Sequence, residues 1–170
     1  DEMGYERVAY AGAVYTYNRV KMLTMDPRFY YYKNSMINRN LFDENLVIDC
    51  EMNSGSSYEA MERYLEKNKK PPKALFISSD ATAAGILKSI REHGFLVPGD
   101  CNIVTYNNTT FSESSTPPLD SIEVYLKESA KEATFALERF WNAEKLPRKI
   151  VIPCSLVIRG SIKKQENNDK

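Results

Sequence analysis

The chain has 170 residues, 42% of them hydrophobic and 27% charged, enough for one domain with a proper core or two small lobes. Its 23 basic and 23 acidic side chains cancel, so this chain alone lacks the basic footprint of a nucleic-acid-binding surface. No apolar run reaches membrane-spanning length and the N-terminus DEMGYERV is not a signal peptide.

Cys50, Cys101 and Cys154 lie far apart without metal-ligand spacing, which fits buried, reduced thiols of a cytoplasmic protein. The single histidine, His93, leaves little room for a histidine-based metal or catalytic site. No cofactor and no metal is expected.

In chain order, residues 7–12 (RVAYAG) form a β-like run with almost nothing before it. A domain that opens on a central strand suggests a piece of a longer chain. Residues 13–25 are polar and aromatic without clear period and are expected to be a loop. Asp26-Pro27 reads as a helix N-cap and N1 proline, with Phe29, Tyr32, Lys33 and Met36 on one face until the asparagines at 38–40. The tyrosines at 30–32 read as partly buried packing.

Residues 46–50 are a second strand, and Ser56 with Glu59 has capping-box spacing before a helix carrying Tyr58, Met61 and Leu65. KNKKPP then closes a turn. Residues 74–78 form a third strand, with Asp80 expected as the next N-cap and Ala83, Leu87 and Ile90 at helical spacing. His93-Gly94 stops that helix, with His93 placed to interact with its dipole. Residues 103–106 form a fourth strand ending in Asn107-Asn108. Alternation of this kind predicts an α/β fold, a parallel sheet flanked by helices on both faces. Ligands bind such sheets at the carboxyl ends of their strands.

Beyond Pro117-Pro118 a long helix carries Leu126, Ala130, Ala133, Leu137, Phe140 and Trp141 as an apolar stripe. Leu146-Pro147-Arg148 is a turn, residues 150–152 and 155–158 are short strands, and GSIKKQENNDK is a polar, frayed tail.

The order of several motifs carries a family resemblance. SSDATAAG, REHGFLVPGD, the strand ending in Asn107-Asn108, STPPLDSI and SLVIRGS follow one another across roughly residues 74–161. They resemble the C-terminal half of a LacI/GalR-family transcriptional repressor, with its S/N-D-x-x-A-x-G turn and closing L-V-x-R-x-S strand. GYERVAYAG fits the family's preceding strand, and Arg28 falls where R-x-x-G-F is expected, with Tyr31 in place of the glycine. The longer loop ending in MDPR is similar to the galactose-repressor branch.

The resemblance implies a periplasmic-binding-protein-like lobe, the second of a two-lobe core whose first lobe is mostly absent. Residues 1–122 would form the effector-binding lobe, 123–148 a helix returning to the first lobe, 149–162 closing strands and 163–170 a disordered tail. It also implies a small effector, a sugar, in the cleft, a homodimer, and operator DNA bound through a headpiece outside this chain. Arg28, Asn107 and Ser79 would contact the effector. Met52 stands where relatives place a stacking aromatic ring, and Asp80, in the same turn, is better explained as a structural cap than as an effector contact. No nucleophile–base pair, phosphate loop or pair of catalytic carboxylates appears, so no catalytic residue is expected. A transport-type sugar-binding protein of the same core fold is the alternative.

Overall fold

The computed structural model describes residues 4–17, 20–142 and 146–164 of the chain. The first strand, β1 (Ala9–Gly12), is buried along its whole length and lies inside the sheet. Its alternation sorts the two faces: Ala9 and Ala11 join one core, and Tyr10 joins another. Residues 13–25, expected as a loop, contain an antiparallel hairpin, β2 (Tyr15–Tyr17) with β3 (Leu23–Met25). Its period-two alternation about Thr16 and Thr24 lasts only three residues per strand, too short to stand out in sequence.

Helix α1 (Pro27–Asn38) follows, capped by Asp26 as expected, and buries Phe29, Tyr32 and Met36. Of the tyrosine group, Tyr32 is packed while Tyr30 and Tyr31 stand in solvent. A single 3-10 turn leads into β4 (Val47–Asp49). Helix α2 (Ser54–Asn68) begins earlier than the capping-box spacing suggested. Asn53 is its N-cap, accepting from the Ser56 amide, while the Ser56 hydroxyl accepts from Glu51 instead.

Strand β5 (Ala74–Ile77), helix α3 (Asp80–Glu92) and strand β6 (Asn102–Asn107) come next. Ser79, not Asp80, caps α3: its hydroxyl accepts from the Thr82 amide, and Asp80 is already helical. His93 ends α3 with Nδ1 3.0 Å from the Ser89 carbonyl. After the short α4 (Thr110–Ser114), residues 120–123 form β7 (Asp120–Glu123), a strand that the flanking prolines disguised as loop.

The strands form one sheet in the order β4-β1-β5-β6-β7-β8, parallel except for the last pair. Helices α2 and α3 cover one face through Ala60, Met61, Leu65, Ile86, Leu87 and Ile90, and α1 lies on the other. They pack so closely that a Cβ on Gly85 would lie 2.1 Å from the Ser54 carbonyl oxygen. That contact explains the glycine of DATAAG.

The long helix α5 (Leu126–Trp141) is present, but none of its described residues is buried, and Phe140 and Trp141 are about three-quarters exposed. Residues 150–152 are not a strand, because no neighbouring strand is there to pair with them; Ile150 and Val151 are exposed. Strand β8 (Ser155–Val157) pairs antiparallel with β7. The supposed tail is partly fastened. Ser161 is fully buried, its hydroxyl donating to the Ile103 carbonyl at 2.6 Å, and the Lys163 amide donates to Asn102. Residues 165–170 lie outside the described residues. Cys50 and Cys101 are buried free thiols, whereas Cys154 is exposed, contrary to expectation, because it follows the unpaired segment at 150–152.

Candidate functional site

The chain leaves β1 for β4 on one side and returns through α2 to β5 on the other. The carboxyl ends of β1 and β5 therefore flank the point where the winding direction reverses, and a crevice opens there in folds of this kind. Gly12 ends β1 with φ near +150°, and a Cβ there would meet the Ser78 hydroxyl at 1.9 Å, so only glycine lets these two strand ends close.

Arg28 lies at this point. The proline at N1 fixes the first turn of α1, and Asp26 caps it, so the side chain two residues on is returned toward the sheet edge. The guanidinium Nη1 donates to the Ser78 carbonyl at the end of β5, 3.1 Å away. Nε and Nη2 donate side-on to the two carboxylate oxygens of Asp26 at 2.9 and 2.7 Å. Nη2 also reaches the Met52 sulfur at 3.0 Å, and the Tyr106 ring lies 5.9 Å from the guanidinium carbon. Asp26 is 1% exposed. Its burial pushes the carboxyl up, but hydrogen bonds from Arg28 outweigh this and hold it below the ordinary range; the same bonds raise Arg28.

The residues singled out from sequence separate into two groups. Arg28 and Met52 are brought into contact, and Asn107 stands half-buried at the end of β6, one residue beyond Tyr106. Asn107 and Asn108 both have positive φ, a conformation asparagine tolerates better than most residues. Ser79 and Asp80 are instead engaged in structural bonds. Ser79 is 5% exposed and its hydroxyl lies 2.8 Å from that of Thr82. Asp80 is also buried and accepts from the Thr109 amide and hydroxyl at 2.7 and 2.6 Å, tying α3 to the loop after β6.

Sequence reading missed Asp26 as a partner of Arg28, and missed Tyr106. The D-P-R spacing was a signal for the first, since a cap at N-cap and a side chain at N2 are neighbours. Tyr106 gave none beyond its place before Asn107. Asn108 was likewise missed as an anchor: it accepts from Arg159 at 2.7 Å and donates to Glu123 at 2.6 Å. Asp120 closes the same corner, accepting from the amides of Arg159, Gly160 and Ile162. Among the described residues no cluster of histidine, cysteine or acidic side chains has the arrangement of a metal site.

A doubly wound sheet with an arginine fixed at its carboxyl edge is the architecture in which α/β folds bind small ligands. A sequence profile of the periplasmic binding protein-like domain matches residues 2–162. The chain is 30% identical over 139 residues to the transcriptional regulator GalR of Streptococcus thermophilus, covering 81% of this chain and 42% of that protein. It is 27% identical over 173 residues to the repressor MelR of Bacillus subtilis, covering 94% and 47% respectively. Among solved structures, the CelR–cellobiose complex superposes with a TM-score of 0.79 at 25% identity, over 94% of this chain and 48% of that one. A dimeric lac repressor superposes with a TM-score of 0.83 over 96% of this chain and 58% of that one; at 18% identity it shows the fold alone.

The chain therefore belongs to the periplasmic binding protein-like family. Within it, the chain is an effector-binding domain of the LacI/GalR family of transcriptional regulators, and its relatives are regulators rather than enzymes. It spans about half the length of the curated relatives it matches.

Proposed function

We propose that this chain is the effector-sensing lobe of a sugar-responsive repressor acting in the cytoplasm. In this reading Arg28 binds the effector, with Met52 and Tyr106 as walls and Asn107 as a second polar contact; Ser79 and Asp80 support the edge from behind. The observation that carries the reading is the fixed guanidinium at the switch point of the sheet, next to the Ser78 carbonyl. A planar fork of donors held in one orientation suits neighbouring hydroxyl groups. That CelR was solved with cellobiose supports a saccharide.

The uncovered stripe of α5 and the unpaired residues at 150–152 support a second lobe that would take both. Closure of that lobe over the sugar would select one lobe orientation and so set the spacing of the DNA-binding headpieces. A homodimer formed through α3 and residues 107–116 would match a two-fold operator. The test is calorimetric titration of the full-length protein with mono- and disaccharides, followed by operator release. Binding of one sugar with a matched change in operator affinity is expected. Saturable binding of a non-saccharide ligand, with no sugar bound at millimolar concentration, would reject the reading.

A further inference from the structure

We propose that the effector is a neutral, unphosphorylated sugar, and that Asp26 sets this preference by cancelling the charge of Arg28. The inference rests on the sugar-binding reading above. An arginine carries five N–H donors. Nε and one Nη2 hydrogen are committed to Asp26, and one Nη1 hydrogen to the Ser78 carbonyl. Among the described residues, the second Nη2 hydrogen meets only the soft Met52 sulfur, a weak acceptor, and the second Nη1 hydrogen has no acceptor. Two donors thus remain for hydroxyl oxygens, on a guanidinium whose charge is already matched by a carboxylate 2.7 Å away.

Among the described residues, the helix ends at this edge are already capped. Helices α1, α2 and α3 all begin there, and their positive ends are closed by the side chains of Asp26, Asn53 and Ser79. Asp80 adds a buried carboxylate to the first turn of α3. Arg159 is occupied by Asn108 and the Leu119 carbonyl. The groove beyond Tyr106, about 520 Å³, carries one charge of each sign, Glu132 and Arg148. A phosphate dianion would meet the Asp26 carboxylate behind the arginine, with no second cation among the described residues bonded at that guanidinium, whereas a hydroxyl needs only the two donors.

The experiment is calorimetric titration of the full-length protein with a panel of neutral sugars and their 6-phosphates. The expected result is binding of at least one neutral sugar, with its phosphate about tenfold or more weaker. Asp26→Asn removes the charge and keeps the oxygen that accepts from both the Arg28 amide and Nε, while losing the acceptor for Nη2. Its neutral-to-phosphate affinity ratio should fall by about tenfold. Asp26→Ser keeps a capping hydroxyl without the carboxylate and serves if the asparagine variant misfolds. A purely structural Asp26 would lower both affinities together and leave the ratio unmoved, which would overturn the proposal. Tighter binding of a sugar phosphate by the unmodified protein would overturn it while leaving the sugar reading intact. Failure of every sugar of both kinds would remove both.

Discussion

A single oxygen of Asp26 accepts from the Arg28 amide and from the Arg28 Nε, both at 2.9 Å, so the cap of α1 and the clamp on the guanidinium are one interaction. The second oxygen completes the pair at 2.7 Å. The side chain that would meet the effector is thereby fixed by the start of its own helix. Two consequences follow for mutation of this pair.

Read from sequence, Arg28 is an effector contact whose removal leaves folding nearly unchanged. Its bonds to the buried Asp26 lead to a different expectation. Arg28→Ala strands a buried carboxylate, and we expect a loss of about 2–4 kcal/mol by urea denaturation. Arg28→Lys keeps a charge beside Asp26 but not the fork. It should lose less than half as much stability and still lose the effector response on operator DNA. Equal stability of the alanine variant and the parent would show that the pair contributes nothing to the fold.

The same pair gives a pH dependence with a definite sign. The folded Asp26 pKa lies below its unfolded value, so the folded state binds the proton more weakly. Its contribution to stability is full above the ordinary aspartate value of about 3.9 and is lost as pH falls through the folded value. Asp26→Asn should therefore show a shallower fall in urea midpoint between neutral and acid pH than the parent. Parallel curves for the two proteins would be inconsistent with the depressed pKa.

Gly85 sits where α2 and α3 cross, with the Ser57 hydroxyl 2.3 Å and the Tyr58 amide 2.7 Å from where a Cβ would go. Two of the three nearest atoms are backbone, which cannot move aside without moving a helix. Gly85→Ala should cost about 1–3 kcal/mol, although alanine is the better helix former. Thermal melts decide it: an unchanged or raised Tm would show that the helices separate freely.

Trp141 is the only tryptophan, and it is 74% exposed on α5. Expressed as these 170 residues, the protein should show red-shifted emission that iodide quenches readily. If α5 belongs to a second lobe, the full-length protein should show blue-shifted, protected emission, because the stripe is then covered. Identical spectra would argue against that assignment.

Thiol reactivity should divide the cysteines. Cys154 is exposed, while burial pushes the Cys50 and Cys101 thiols up to about 12. One thiol should react with a disulfide reagent at once and two only on unfolding. Three fast thiols in the native protein would show that the sheet's core is open on the assay timescale.

What the sequence by itself determined was local or periodic. The apolar runs at β1, β5 and β6, the D-P cap of α1, and the Ala83, Leu87 and Ile90 spacing of α3 each lie within one helix or one strand. Motif order then placed Arg28, Met52 and Asn107 near one edge. The tertiary structure alone decided how side chains far apart in sequence share bonds. The Arg28 Nη1 ends on a carbonyl 50 residues away, and Asp120 collects three amides from residues 159–162. Strand β7 escaped notice because its four residues, DSIE, lack a full apolar period and owe their strand to pairing with β6. Residues 150–152 show the converse: β-branched and apolar, they remain unpaired. A strand needs a neighbour to satisfy its backbone, and no local pattern contains that neighbour.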